Sequence, residues 1–218
     1  MNIKVDSNTV VVFDLDDTLY NELDFLISAY KEIATYIDRK KTEKIFSVMF
    51  SLYRNDQNVF EYLSDVYPVK KEALLGIYRN HIPLIKLNSS TYNLLNEIHS
   101  NCGKLAILTD GRSLTQRNKL EALGIENIFD YVSVSEEIKA VKPSLKGFQL
   151  IEDKFKRSNY YYIGDNLNKD FIAPNKLGWK SICLIDNGKN IHHQSQLNLG
   201  KEKEPKEYIY SLSEIRII

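Results

Sequence analysis

The sequence predicts an α/β protein built on a doubly wound parallel sheet with a small all-helical cap domain. Three observations carry that expectation. Apolar runs at 10–13, 105–108 and 160–163 are short and continuous, as strands buried on both faces are. From residue 89 onward helical and strand patterns alternate, which implies right-handed crossovers and a sheet covered on both sides. Between 22 and 85 helical patterns recur and no strand pattern interrupts them, so residues 22–85 are assigned to the cap, with 1–21 and 86–218 forming the core.

The elements follow in order. A first strand covers 9–14 and ends on Asp14, and the acid-rich stretch 15–21 forms an irregular turn. Leu23, Leu26, Ile27, Tyr30, Ile33, Ala34 and Ile37 recur at three- and four-residue intervals, the signature of a helix with one buried stripe. Further helices are predicted near 42–54, 58–65 and 70–80, punctuated by Pro68 and Pro83. The core then reads as helix 90–99, strand 104–109, helix 113–123, strand 131–134, helix 145–155, strand 159–164, helix 168–177 and strand 180–185. Gly103, Gly124 and Gly178 stand between helix and strand, where a left-handed C-terminal cap favours glycine. Residues 187–205 are polar and aperiodic and are read as a surface loop, and 206–218 return to apolar patterning that docks on the core.

Composition narrows the partners. Lys plus Arg and Asp plus Glu both number 29, so no net field favours nucleic acid or an anionic membrane. No apolar stretch approaches the ~18 residues of a membrane span, and no secretory signal is evident, which makes the cytoplasm the expected location. Cys102 and Cys183 have neither pairing nor metal-ligand spacing and read as packed thiols of a reducing compartment. Monomer and homodimer both remain open.

The chemistry concentrates where strands end. In open α/β sheets ligands bind outside the carboxyl ends of the strands, so Asp14, Thr109 and Asp165 are brought toward one crevice. Asp14-Leu15-Asp16-Asp17 places three carboxylates in four residues, and Asp165 adds a fourth from another strand. Like charges oppose one another's ionisation, and a hard divalent cation such as Mg2+ is the simplest compensation. Thr109-Asp110-Gly111 offers a hydroxyl and turn amides leading into a helix, a natural grip for an anion. Lys142 follows the next strand, with Pro143 suited to the first position of the helix after it. Tyr20, Asn21, Glu22, Arg54 and Arg79 are candidate contacts to a leaving group, though solvent exposure or ordinary packing is the commoner fate of such residues. His192-His193, in a polar loop, is read as solvated rather than as a metal site.

Together, Phe13-Asp14-Leu15-Asp16-Asp17-Thr18-Leu19, Leu108-Thr109-Asp110-Gly111, Val141-Lys142-Pro143 and Gly164-Asp165-Asn166 with Asp170 resemble the four ordered motifs of the haloacid dehalogenase (HAD) superfamily. The resemblance is to its phosphatase branch, with a Rossmann-like core and a helical cap after the first motif, and covers roughly residues 9–186. It implies a Mg2+-dependent phosphatase acting on a small phosphorylated metabolite. Asp14 would be the nucleophile that forms an aspartyl-phosphate, and Asp16 the acid and base. Asp14 and Asp165, with the backbone carbonyl of Asp16, would hold Mg2+. Thr109, the Asp110 amide and Lys142 would bind the phosphoryl oxygens, and Asn166 and Asp170 would orient metal waters or Lys142. Asp110 stands where the family often has Asn, which adds a negative charge near the phosphate. A sugar phosphomutase of the same superfamily is the alternative enzyme. A phosphate-responsive signalling module is the non-enzymatic one, although receiver domains place the phosphorylated Asp on a later strand than the acidic pair. A dehalogenase has no need of the leaving-group acid Asp16.

Overall fold

The computed structural model describes residues 1–194 and 199–218. Its order is β1 (Asn2–Ile3), β2 (Thr9–Phe13), then four helices α1 (Glu22–Ile37), α2 (Thr42–Arg54), α3 (Val59–Val66) and α4 (Lys71–Asn80). The chain returns through α5 (Ser89–Ser100), β3 (Lys104–Thr109), α6 (Ser113–Leu123), β4 (Tyr131–Val134), α7 (Ser135–Ile138) and α8 (Leu145–Phe155). It closes with β5 (Asn159–Gly164), α9 (Ile172–Lys176), β6 (Lys180–Leu184), β7 (Glu207–Ile209) and β8 (Arg216–Ile217).

Among the described residues the main sheet has six parallel strands in the order β4-β3-β2-β5-β6-β7. The winding runs outward from β2 through β3 to β4, then resumes on its other side with β5. The carboxyl end of β2 is therefore the switch point where a doubly wound sheet opens a crevice. Every residue of β2 is buried because both faces are covered. Val11 and Phe13 pack in one core layer with Leu95, Ile98 and Ile107, whereas Val10 and Val12 pack in the other with Phe148, Tyr162 and Phe171.

Helices α1 to α4 close around a separate cluster that includes Leu26, Tyr30, Ile33, Met49, Leu63 and Leu74. Here α1 differs from the single stripe expected. Leu26, Tyr30, Ile33 and Ala34 face the cap cluster, while Phe25 and Ala29 on the same helix enter the core layer. The helix thus ties the two halves together and must be apolar on two sides.

Other departures have local causes. Gly124 and Gly178 are left-handed, but before β3 it is Cys102 (φ 63°) that takes that conformation. Gly103 is required there for close approach, since a Cβ would lie 2.5 Å from Val5 Cγ1. The helix expected at 168–177 is shortened to Ile172–Lys176, because Lys169 and Asp170 donate their amides to the Asn166 carbonyl and form a tight turn first. Pro143 lies ahead of α8 rather than at its first position, and Ser144 caps the helix by accepting from the Lys146 amide. The tail does dock: β7 extends the main sheet, and β8 pairs with β1, a strand too short to announce itself. The expected surface loop at 187–205 extends over 195–198, outside the described residues. Its first part is no mere surface excursion, because Asn190 is buried and Ile191 packs on the cap cluster.

Candidate active site

The strand ends converge as the motif spacing implied. Asp14 follows β2 directly and is buried, and Lys142 Nζ lies 2.8 Å from its Oδ1. The same ammonium lies 2.8 Å from Asp170 Oδ1 and 3.1 Å from the Tyr162 hydroxyl. Asp165 sits at the end of the neighbouring β5. Carboxylate oxygens of Asp14, Asp165 and Asp170 all fall within 4.8 Å of one another. Gly164 makes this possible: a Cβ there would meet Asp170 Oδ2 at 2.5 Å. Asp170 is fully buried, and its Oδ2 accepts from the Asn166 amide at 2.9 Å, so the turn before α9 holds it beneath the site.

Three buried acids beside one lysine are electrostatically uncomfortable. Burial, opposed by Lys142, pushes the Asp14 carboxyl up to about 7. Burial followed by repulsion from Asp14 and Asp170 pushes Asp165 up to about 9. Lys142 is held charged: burial works against its ammonium, but Asp14 and Asp170 outweigh it. A nucleophile must be ionised at neutral pH, and a divalent cation between these oxygens would lower both carboxyls. The donor set, oxygen-only and anionic, fits Mg2+.

The remaining acids of the first motif go elsewhere. Asp17 adopts a left-handed φ of 55°, and its carboxylate accepts from the Glu22 amide at the start of α1 and from the Ile191 amide, both at 2.8 Å. It is a structural tie between core, cap and the 186–194 loop. Asp16 turns toward the cap. Its Oδ1 accepts from Tyr20 Oη at 2.5 Å and from Lys119 Nζ at 2.7 Å, and its Oδ2 from Gln116 Nε2 at 2.9 Å. Burial works to raise this carboxyl, but Lys119 and these hydrogen bonds outweigh it and hold it below its ordinary value. Because its carboxylate is engaged here, only its backbone carbonyl is left for the metal role assigned to Asp16.

Thr109 is buried, and its Oγ1 accepts from Gln116 Nε2 at 2.6 Å, which aims the hydroxyl proton elsewhere. One glutamine thus fixes both Thr109 and Asp16. The carboxylate of Asp110 is neutralised: Oδ1 accepts from the Lys142 amide at 3.1 Å and Oδ2 pairs with Lys169 at 3.0 Å. The extra charge foreseen there is spent on orienting the lysine loop. The first amide of α6, that of Ser113, donates to Glu136, so this helix end is already partly satisfied. The pocket enclosed by Asp14, Asp16, Thr109, Asp165 and Lys169 has a volume of about 130 Å3 and is strongly polar.

Tyr162, Gln116, Lys119 and Asn190 are the residues that sequence reasoning missed. Asn190 Nδ2 donates to Asp165 Oδ2 at 2.9 Å from within the stretch read as a surface loop. Gln116 and Lys119, three apart on α6, are both buried, and a polar pair on the inner face of a helix was the available signal. His192 is exposed at the pocket rim, as the solvated reading had it. Of the leaving-group candidates, Glu22 lines both the pocket and an adjoining cavity and Arg79 lines that cavity, whereas Tyr20 and Asn21 line a separate cleft and Arg54 lines none of the three.

Comparison with known proteins accords with this geometry. The chain is 29% identical over 191 residues to glyceraldehyde 3-phosphate phosphatase of Methanocaldococcus jannaschii, a match covering 80% of this chain and 84% of that one. In fold it is similar to a HAD phosphatase from Thermococcus onnurineus, with a TM-score of 0.60 at 21% identity, covering 97% and 95% of the two chains. It is equally similar to L-2-haloacid dehalogenase from Xanthobacter autotrophicus, with a TM-score of 0.61 at 13% identity over 94% and 95%, so the fold alone does not select the chemistry. The family model described as haloacid dehalogenase-like hydrolase matches residues 11–184, and the chain is a member of that hydrolase family.

Proposed function

We propose that this chain is a Mg2+-dependent phosphatase that hydrolyses a small phosphate monoester through an aspartyl-phosphate on Asp14. The observation that carries the reading is the placement of Asp14 between a buried lysine and two further acids at the switch point of the sheet. Asp16 supports a phosphatase over a dehalogenase, since it stands two residues on and faces the cap as a leaving-group acid would. Residues 22–85 would serve as the cap, and the chain would act in the cytoplasm. No described helix is long and apolar enough to cross a membrane, and both cysteines are free.

Asp14, Asp165 and the Asp16 carbonyl would hold Mg2+, with Asp170 alongside. When bound, the ion neutralises the acids and orients the phosphoryl group. Thr109 Oγ1, the Asp110 amide and Lys142 Nζ grip the phosphoryl oxygens and stabilise charge in the transition state. Asp14 attacks phosphorus with one carboxylate oxygen, and the P–O bond to the leaving group breaks in line. Arrival of the anionic phosphate beside Asp16 raises its pKa, so it carries the proton that the departing oxygen takes. In the second half Asp16, again a base, removes a proton from water. The resulting hydroxide displaces Asp14 from phosphorus and phosphate leaves.

A phosphate-release screen over a panel of monoesters with Mg2+, run on wild type and Asp14→Asn in parallel, tests the reading. At least one ester should turn over, and the variant should lose about 10³-fold or more. Turnover that survives Asp14→Asn would defeat the assignment.

A further inference from the structure

Beyond Asp16 the catalytic pocket adjoins a second cavity of about 330 Å3, and the two share Asp16, Glu22 and Asp110. The proton donor to the leaving group therefore stands at the boundary between them. The acids of the second cavity share two lysines: Asp16 and Glu22 both pair with Lys119, at 2.7 and 3.4 Å, and Asp110 pairs with Lys169, while burial and Asp16 push the Glu22 carboxyl up to about 8, which favours its neutral form. Two further cations line the same space, Arg79 at the end of α4 and Arg112 at the N-cap of α6. Both are exposed, and neither has an ion pair among the described residues. One belongs to the cap and the other to the core. Like charges lining one cavity repel, and an anion between them removes the repulsion and gains charge-assisted, fork-shaped hydrogen bonds from both. Phe60, Leu75 and Tyr78 supply an apolar wall for a carbon chain.

We propose that this cavity is a leaving-group subsite for an anionic leaving group. The substrate is then a phosphate monoester whose departing half carries a second anionic group, a carboxylate or another phosphate, bridged by Arg79 of the cap and Arg112 of the core. The inference rests on the phosphatase reading above and adds to it the class of substrate. It also gives the cap a reason to close on the correct ester, since only a doubly anionic molecule joins the two arginines.

Matched pairs of esters test it under steady-state turnover with Mg2+: phosphoglycerate against glyceraldehyde phosphate for a carboxylate, and fructose bisphosphate against fructose monophosphate for a phosphate. In wild type, kcat/KM should favour the anionic member of at least one pair by about tenfold or more, the scale of one charged hydrogen bond. Which pair shows the preference identifies the anion. Arg79→Glu and Arg112→Glu should each reduce that ratio about tenfold or more, chiefly through KM. Both side chains are exposed, so the variants should melt with wild type; where one does not, the Arg→Gln form repeats the measurement. Equal rates on both members of both pairs, or a preference that neither variant moves, overturns the subsite and leaves the phosphatase reading standing. Absence of phosphate release from every ester overturns both.

Discussion

The two ends of the site settle their charges in opposite ways. At the carboxyl end of β2, Asp14, Asp165, Asp170 and Lys142 are all buried, and each is fixed by a partner from another strand or turn. On the cap side of Asp16, Arg79 and Arg112 are exposed and have no ion pair among the described residues. A buried charge left alone costs several kcal/mol, so the phosphate end tolerates little variation in its members. An exposed arginine costs almost nothing to move or replace. The reacting groups are thereby built into the fold, and the choice of leaving group is left to residues that change without unfolding it.

The largest effect should come from breaking the buried end. Lys142→Met leaves Asp14 and Asp170 without their cation, and unfolding experiments in EDTA should show a loss of about 3–5 kcal/mol. Arg112→Met in parallel should cost less than about 0.5 kcal/mol. Equal losses would erase the contrast between the two ends.

A smaller effect is expected at the boundary. Lys119 lies 2.7 Å from Asp16 Oδ1 and 4.5 Å from the Phe25 ring centroid, so it fixes the carboxyl that serves both halves. Lys119→Met should lower kcat about 10²-fold with little change in KM, and Lys119→Arg should recover part of it. A change confined to KM would place Lys119 with the leaving group instead.

The smallest effect lies away from both ends and calibrates them. Burial works to raise Asp130, but hydrogen bonds from the Leu105 amide and Lys104 outweigh it and hold its carboxyl below the ordinary value. Its stabilisation is full above the unfolded pKa of ~3.9 and is lost as pH falls through the lower folded value. Its partners Lys104 and His99 are themselves partly exposed and screened by water, so wild type should exceed Asp130→Asn by only about 0.5 kcal/mol at neutral pH. Thermal melts should show that gap closing below about pH 4.

How much of this was legible in the sequence follows from how each part is encoded. Strands 104–109 and 159–164 match the structure because strands covered on both faces are written as local apolar runs, and the edge strand 131–134 matches although it is only half buried. Asp14, Thr109 and Asp165 were readable for the same reason, since each ends such a run. Tyr162 was hidden inside a run of three tyrosines, where only the face it takes in the sheet decides that its hydroxyl meets Lys142. Gln116 and Lys119 share the buried face of their helix with only Leu120 and Leu123, so no continuous apolar stripe pointed to them. Asn190 reaches Asp165 across 25 residues from a stretch without periodicity, and such a contact has no local signature. In the first motif, spacing grouped Asp14, Asp16 and Asp17 together, while the left-handed turn at Asp17 sends the three side chains to three different tasks.

Acid quench of the enzyme during turnover of a monoester with Mg2+, followed by peptide mass spectrometry, addresses the nucleophile itself. A single phosphoryl group should be found on Asp14 in wild type, and with an aryl phosphate, whose leaving group departs without a proton, it should accumulate in Asp16→Asn, where the base that activates water is gone. Phosphate release with the phosphoryl group on another residue, or with no trapped adduct in either protein, would contradict the covalent role of Asp14.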